Sequence, residues 1–120
     1  MEDCFASENY KDPTTGYRKY IDVTSFIDYM LSTEFSYNID GYRLSSHMYK
    51  YSETRAKNEG LDSRWKTTLW DFNIAYGNAN YNNGASTNLW QYDFNSRAED
   101  AQQVPFWWKR LLDDPAYQEE

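Results

Sequence analysis

Asn38-Ile39-Asp40-Gly41-Tyr42-Arg43 is the stretch on which the reading of this 120-residue chain turns. It places an aspartate in a glycine-bearing turn directly after an amphipathic segment. A second aspartate stands in Leu69-Trp70-Asp71-Phe72-Asn73. Between the two lie residues 45–51 and 64–70, each with the composition of a strand, joined by the polar residues 52–63. Asn58-Glu59-Gly60 supplies a hairpin-loop signal there. In the second strand Trp65, Thr67 and Leu69 alternate with Lys66, Thr68 and Trp70, and in the first Tyr49 and Tyr51 share a face. The order is helix, Asp-bearing turn, two strands, Asp. It sets an acidic residue on either side of a β-ribbon.

Outward from this centre, residues 22–37 form the clearest helix. Val23, Phe26, Ile27, Met30, Leu31 and Phe35 recur at helical spacing and define an apolar face, with Asp28 and Glu34 on the wet side. Asp22 is a good N-cap, and Ile21 and Phe26 are placed to form a hydrophobic staple. The helix ends near Asn38, where Gly41 permits the backbone conformations of a tight loop. Upstream, residues 1–19 read as a polar N-terminal segment, a loop or loosely held hairpin around Asp12-Pro13-Thr14-Thr15-Gly16. Downstream, residues 74–103 read as irregular, a long Asn/Gly loop with a short strand at Trp90, Tyr92 and Phe94. A last helix starts at Pro105, carries Phe106, Trp107, Trp108, Leu111 and Leu112, and stops at Pro115.

Composition narrows the function. The net charge is −7 and basic residues occur as pairs, which argues against nucleic acid as a partner. No apolar run approaches the ~20 residues that span a bilayer. Cys4 is the single cysteine, so no intrachain disulfide forms. His47 has no partner for a metal set, and it stands too near Ser45 and Ser46 to act as their general base. The 12 Tyr and 5 Trp indicate a core built from rings. Tyr76, Tyr81, Trp90 and Tyr92 fit either that core or an exposed platform for stacking on sugars. Phe106-Trp107-Trp108 leaves a ring for the surface, and an exposed aromatic surface would favour a dimer.

With these residues in view, the chain resembles the CotH family, bacterial spore-coat-H-like secreted kinases with an atypical protein-kinase fold. Three segments carry the resemblance: residues 20–29 running into 38–43, Leu69-Trp70-Asp71-Phe72-Asn73-Ile74-Ala75-Tyr76-Gly77-Asn78, and residues 104–112. The pattern W-D-F-N-x-A-x-G is the most specific part. The resemblance implies an α+β fold, a partial kinase-like C-lobe of amphipathic helix, antiparallel hairpin, long Asn/Gly loop and C-terminal helix. Residues 20–120 would be a piece of one kinase domain truncated at both ends, with 1–19 as a flexible polar lead.

The resemblance also implies roles. Asp40 matches the catalytic-loop aspartate and Asp71 the metal-binding aspartate that precedes Phe. Ser45 stands where kinase loops carry an Asn that holds a second metal. ATP with Mg²⁺ or Mn²⁺ would be the cofactors, a protein hydroxyl the substrate, and the location extracytoplasmic. Neither Lys11 nor Lys19 matches the lysine that anchors the nucleotide, so the parent protein, and not this stretch alone, would be the active kinase. Two other readings stand beside it. One is a non-catalytic carbohydrate- or protein-binding surface module, and the other a pseudokinase-like structural domain. In either, Asp40 is a turn former and Asp71 a strand-terminal Asp bonded to local backbone.

Overall fold

The computed structural model describes residues 1–98 and 100–120; Glu99, inside the stretch expected to be irregular, lies outside them. The elements are α1 (Glu2–Ala6), α2 (Val23–Ser36), β1 (His47–Tyr49), α3 (Glu53–Glu59), β2 (Lys66–Thr68), α4 (Phe106–Leu112) and α5 (Pro115–Gln118). Two 3-10 segments, Tyr17–Lys19 and Gln91–Ser96, complete the described fold. The α+β expectation holds: the described residues combine helices with a two-stranded antiparallel ribbon, against which α2 packs.

Helix α2 is the spine. Asp22 caps it by accepting from the Ser25 amide at 3.4 Å, as its sequence indicated. Asp22 also pairs with Lys66 of β2. Ser25 Oγ accepts from the Thr67 amide at 3.1 Å, and Thr67 Oγ1 donates to the Ser25 carbonyl at 2.6 Å. The first turn of α2 is thereby fastened to the ribbon. The far end closes with Tyr37 in the left-handed region, φ 46°.

The buried face of α2 differs from the expected one. Val23, Phe26, Tyr29, Met30, Thr33 and Ser36 point inward, whereas Leu31 is exposed and Phe35 is 84% exposed. The helix is rotated because its partners are aromatic. Trp108 lies 5.5 Å from the Tyr29 ring and 5.3 Å from Phe26, and 4.8 Å from Tyr42. Tyr29 therefore turns toward α4 and Thr33 toward the Gly41 turn, and both are buried despite their hydroxyls.

Three further expectations are corrected. Residues 52–63 are not a bare loop: α3 forms, capped by Ser52, which accepts from the Arg55 amide at 3.3 Å, and closed by Gly60 at φ 65°. Only Ala56 of that helix is buried, so no apolar period advertised it. The Trp90–Phe94 stretch is 3-10 rather than strand, with Phe94 fully buried and Trp90 exposed. The N-terminal segment is neither hairpin nor loosely held. Phe5 of α1 stacks on Tyr17 at 5.7 Å and on Trp107 at 6.0 Å, and Tyr17 donates to Asp114 Oδ2 at 2.7 Å. Pro115 ends α4 but also opens the short α5, capped by Asp114.

Trp108 is 0% exposed and touches both α2 and the turn after it. Trp108→Ala is expected to lower unfolding stability by about 3–5 kcal/mol, the range for emptying a large aromatic site. Phe35→Ser should stay within about 0.5 kcal/mol, as for a surface change. Urea titration followed by far-UV circular dichroism measures both.

Candidate functional site

The turn that carries Asp40 is built on its own backbone. The Asp40 carbonyl accepts from the amides of Leu44 and Ser45 at 3.0 and 2.9 Å, and the Asn38 carbonyl accepts from Gly41 at 2.8 Å. Gly41 is required here by space and not by a left-handed φ. A Cβ on it would meet Thr33 Cγ2 of α2 at 2.3 Å and the Asn38 carbonyl at 2.9 Å. Tyr42 takes the left-handed conformation instead, φ 65°. Its amide donates to Tyr29 Oη at 3.1 Å, and its hydroxyl donates to Glu34 Oε1 at 2.8 Å. Tyr29 in turn donates to the Ser45 carbonyl at 2.8 Å. The turn is bolted to α2 from beneath.

The ribbon sets the geometry of the two aspartates. Its register pairs His47 with Thr68, Met48 with Thr67 and Tyr49 with Lys66. The start of β1 therefore faces the end of β2. Asp40 precedes β1 and Asp71 follows β2, so both segments leave the ribbon from the same end. Trp70 packs edge-on against His47 there, with centroids 5.9 Å apart. Beyond Asp71 the chain comes back to α2: the Tyr76 amide donates to the Ser36 carbonyl at 2.7 Å.

The two carboxylates have different surroundings. Asp71 is exposed, sits in the left-handed region at φ 59°, and has no side-chain hydrogen bond or ion pair among the described residues. Asp40 is half-buried and occupied. Its Oδ1 lies 3.5 Å from Arg43 and accepts from the Tyr81 hydroxyl at 3.1 Å. The Arg43 side chain is only 2% exposed and also pairs with Asp100 at 3.2 Å. It donates to the carbonyls of Ile39 and Gln102 at 3.2 and 2.6 Å, and rests 4.1 Å above the Phe94 ring. No group of three or more His, Cys, Asp or Glu residues gathers as a metal cage among the described residues.

Ser45, the third residue singled out, is buried at 6% exposure. Its visible part is backbone, through the two bonds that close the turn. His47 is exposed and Asn73 offers its carbonyl to the Asn78 amide group at 2.6 Å. Tyr76, Tyr81 and Trp90 are exposed and do not fill the core. The neighbouring rings are not coplanar, however. Trp90 and Tyr92 tilt by 41°, and Phe35 and Tyr76 stand at 82°. A cleft of about 390 Å³, lined by Phe35, Tyr37, Tyr76 and Leu89 among others, opens beside the site without including Asp40 or Asp71.

Several residues of this region escaped the sequence reading. Asn38, taken only as the helix end, is fully buried and its Oδ1 accepts from the Asp40 amide at 3.4 Å. An Asx residue two positions before another was the available signal. Arg43 had only the local spacing to Asp40, its Asp100, Gln102 and Phe94 partners being distant in sequence, and Tyr81 had none, since Asp40 lies far from it along the chain. Glu34, expected on the wet face, is half-buried and accepts from the amides of Gln91 and Tyr92 at 2.7 and 2.8 Å besides the Tyr42 hydroxyl. It serves as the cap of the Gln91–Ser96 segment. Burial pushes its carboxyl above the ordinary value, opposed by these hydrogen bonds and by Arg97.

The chain belongs to the CotH family: the family model described as CotH kinase protein matches residues 2–120. The match takes in the N-terminal segment as well as the three segments that suggested the family. No curated protein and no solved structure matches the chain. No helix among the described residues is long and apolar enough to cross a membrane.

A raised carboxyl favours the folded state most when protonated, so Glu34's contribution is full below its unfolded value. That contribution declines as pH rises through the higher folded value. The stability difference between wild type and Glu34→Gln should therefore shrink from pH 4 toward pH 7. Denaturant titrations across that range check the sign, and a difference that grows with pH contradicts it.

Proposed function

We propose that this chain carries the catalytic-turn and metal-binding half of a phosphoryl-transferring CotH protein, acting on protein hydroxyls with a nucleoside triphosphate. The observation that carries the reading is the ribbon register, which sends the Asp40 and Asp71 segments out from one end. Membership of the CotH kinase family supports it.

The donors suit the group the reaction needs. Asp71 offers an exposed carboxylate with no protein partner among the described residues. Hard divalent ions of the Mg²⁺ type are commonly held by one or two carboxylates together with phosphate oxygens and water. Such an ion, when bound, offsets the charge that develops on the transferred phosphoryl group. Asp71 would hold it, and its open position leaves room for phosphate oxygens beside the protein ligand. Asp40 would accept a hydrogen bond from the attacking hydroxyl and orient its lone pair toward phosphorus. Arg43 keeps the Asp40 carboxylate in place from the buried side. Ser45 supports the turn through its backbone, and its expected contact with a second metal requires the turn to open.

Neither N-terminal lysine is placed as a triphosphate anchor. Lys11 donates to the Asp113 carbonyl and Lys19 lies 5.8 Å over the Tyr20 ring. The activity is accordingly assigned to a longer protein that includes this chain, and the family resemblance is the ground for an extracytoplasmic location and a protein substrate. The tilted and perpendicular exposed rings weigh against the sugar-platform alternative, which needs coplanar faces.

Labelled ATP with Mg²⁺ or Mn²⁺ and the full-length protein tests the proposal. Asp71→Asn and Asp40→Asn should each reduce transfer by ~10²-fold or more, the scale of a lost acid–base or charge-stabilising group. Glu59→Gln on α3 should leave it unchanged. An Asp71→Asn variant with wild-type transfer removes the metal assignment.

A further inference from the structure

The loop that follows Asp71 does not merely pass the site; it returns to Asp40. Tyr81 donates its phenolic hydrogen to Asp40 Oδ1 at 3.1 Å. The next residue, Asn82, donates its side-chain amide to Asp100 Oδ2 at 3.3 Å. Arg43 joins the two acidic groups, at 3.5 Å from Asp40 and 3.2 Å from Asp100. Tyr81 and Asn82 thus cover one network from above while Arg43 holds it from below.

The backbone is shaped for this approach. Asn82 and Asn83 both adopt left-handed conformations, φ 48° and 59°, which Asn tolerates better than most residues. The Gly84 amide donates to the Tyr81 carbonyl at 2.9 Å, closing a turn behind the phenol. The Tyr81 ring is nevertheless 41% exposed. Its side chain is held at the hydroxyl tip, so it can swing out while Ala79 keeps the loop anchored in the core.

We propose that Tyr81 occupies the acceptor-hydroxyl position of Asp40, so that its side chain must swing out before a substrate hydroxyl is presented there. The inference rests on the role assigned to Asp40 above. A carboxylate that orients an attacking hydroxyl does so by accepting its hydrogen bond, and Tyr81 already makes that bond. Because the phenol is tethered, it competes at a high effective concentration with any hydroxyl arriving from solution. Burial and the Asp40 hydrogen bond both push the Tyr81 phenol above its ordinary value, so it stays a protonated donor. The occupant is itself a protein hydroxyl on an extended loop, which matches the class of acceptor proposed for the site.

The test uses the full-length protein with Mg²⁺-ATP and a generic protein acceptor, comparing wild type with Tyr81→Phe. The phenyl ring keeps the loop's shape and removes only the competing hydroxyl. The KM for acceptor should fall by roughly tenfold, the equivalent of one net hydrogen bond. The kcat at saturating acceptor and the KM for nucleotide should not move. Asn82→Gly, which frees the same loop and suits its positive φ, should shift the acceptor KM in the same direction. An unchanged acceptor KM in both variants overturns the proposal, as does a change confined to kcat or to the nucleotide. In either case wild-type transfer that disappears in Asp71→Asn leaves the kinase reading standing. Absence of transfer from wild type and both variants alike overturns that reading, and this one with it.

Discussion

The Tyr42–Glu34 contact underpins the structure around the site. It joins the turn that carries Asp40 to the helix on which that turn rests, inside a core made of rings. A buried carboxylate is costly unless hydrogen bonds satisfy it. Glu34 meets this demand with three donors drawn from two distant segments, Tyr42 and the amides of Gln91 and Tyr92. The 3-10 segment that brings those amides also brings Phe94, which supports Arg43, which in turn holds Asp40. One side chain on α2 therefore orders the turn directly and its electrostatic support at one remove. A hydrogen bond to a charged group contributes about 1.5–3 kcal/mol, more than a neutral one, and binding three donors makes the arrangement cooperative.

The aromatic core explains why such a network is needed. Rings such as Trp108 fill volume well but specify position poorly, because they slide over one another at small cost in area. Polar bonds from Tyr29 and Tyr42 fix what the rings only fill. Tyrosine suits both tasks, with an apolar body for the core and a hydroxyl for the backbone of the Asp40 turn. The abundance of tyrosine in the composition is thus partly structural, and two of the tyrosines, Tyr29 and Tyr42, hold the Asp40 turn rigid.

These features set the limits of what could be read from residues alone. Helix α2 was legible because its cap and apolar period are local signals. Its rotation was not, since Leu31 and Phe35 outweighed Tyr29 and Thr33 until α4 packed on the one and the Gly41 turn on the other. The ribbon was legible in order and pairing but came out shorter. Helix α3 was missed because a mostly solvated helix carries no apolar period; only Ser52 and Gly60 marked its ends. Around the site, Asp40 and Asp71 stood out through flanking pattern and family likeness. Arg43, Tyr81 and Glu34 did not, because much of what holds them, Asp100 and Phe94 for Arg43, Asp40 for Tyr81 and the Gln91 and Tyr92 amides for Glu34, is brought near only by the folded chain.

The contrast between the two aspartates is consistent with the roles proposed for them. A ligand for a phosphate-bound cation gains from exposure, since the cation arrives with its own oxygen shell and leaves with product. Asp71, left open at the end of the ribbon, has that freedom. A carboxylate that aligns a hydroxyl gains from rigidity, because a misplaced acceptor oxygen misdirects the attack. Asp40 has that rigidity, supplied by Arg43 from the core side and by the backbone bonds of its own turn. The cost of rigidity is an acceptor oxygen ready for any nearby donor, and in this fold the nearest donor is the chain's own loop. A site made precise in this way invites occupation from within, so the same rigidity that would serve transfer also gives Tyr81 a defined place to dock.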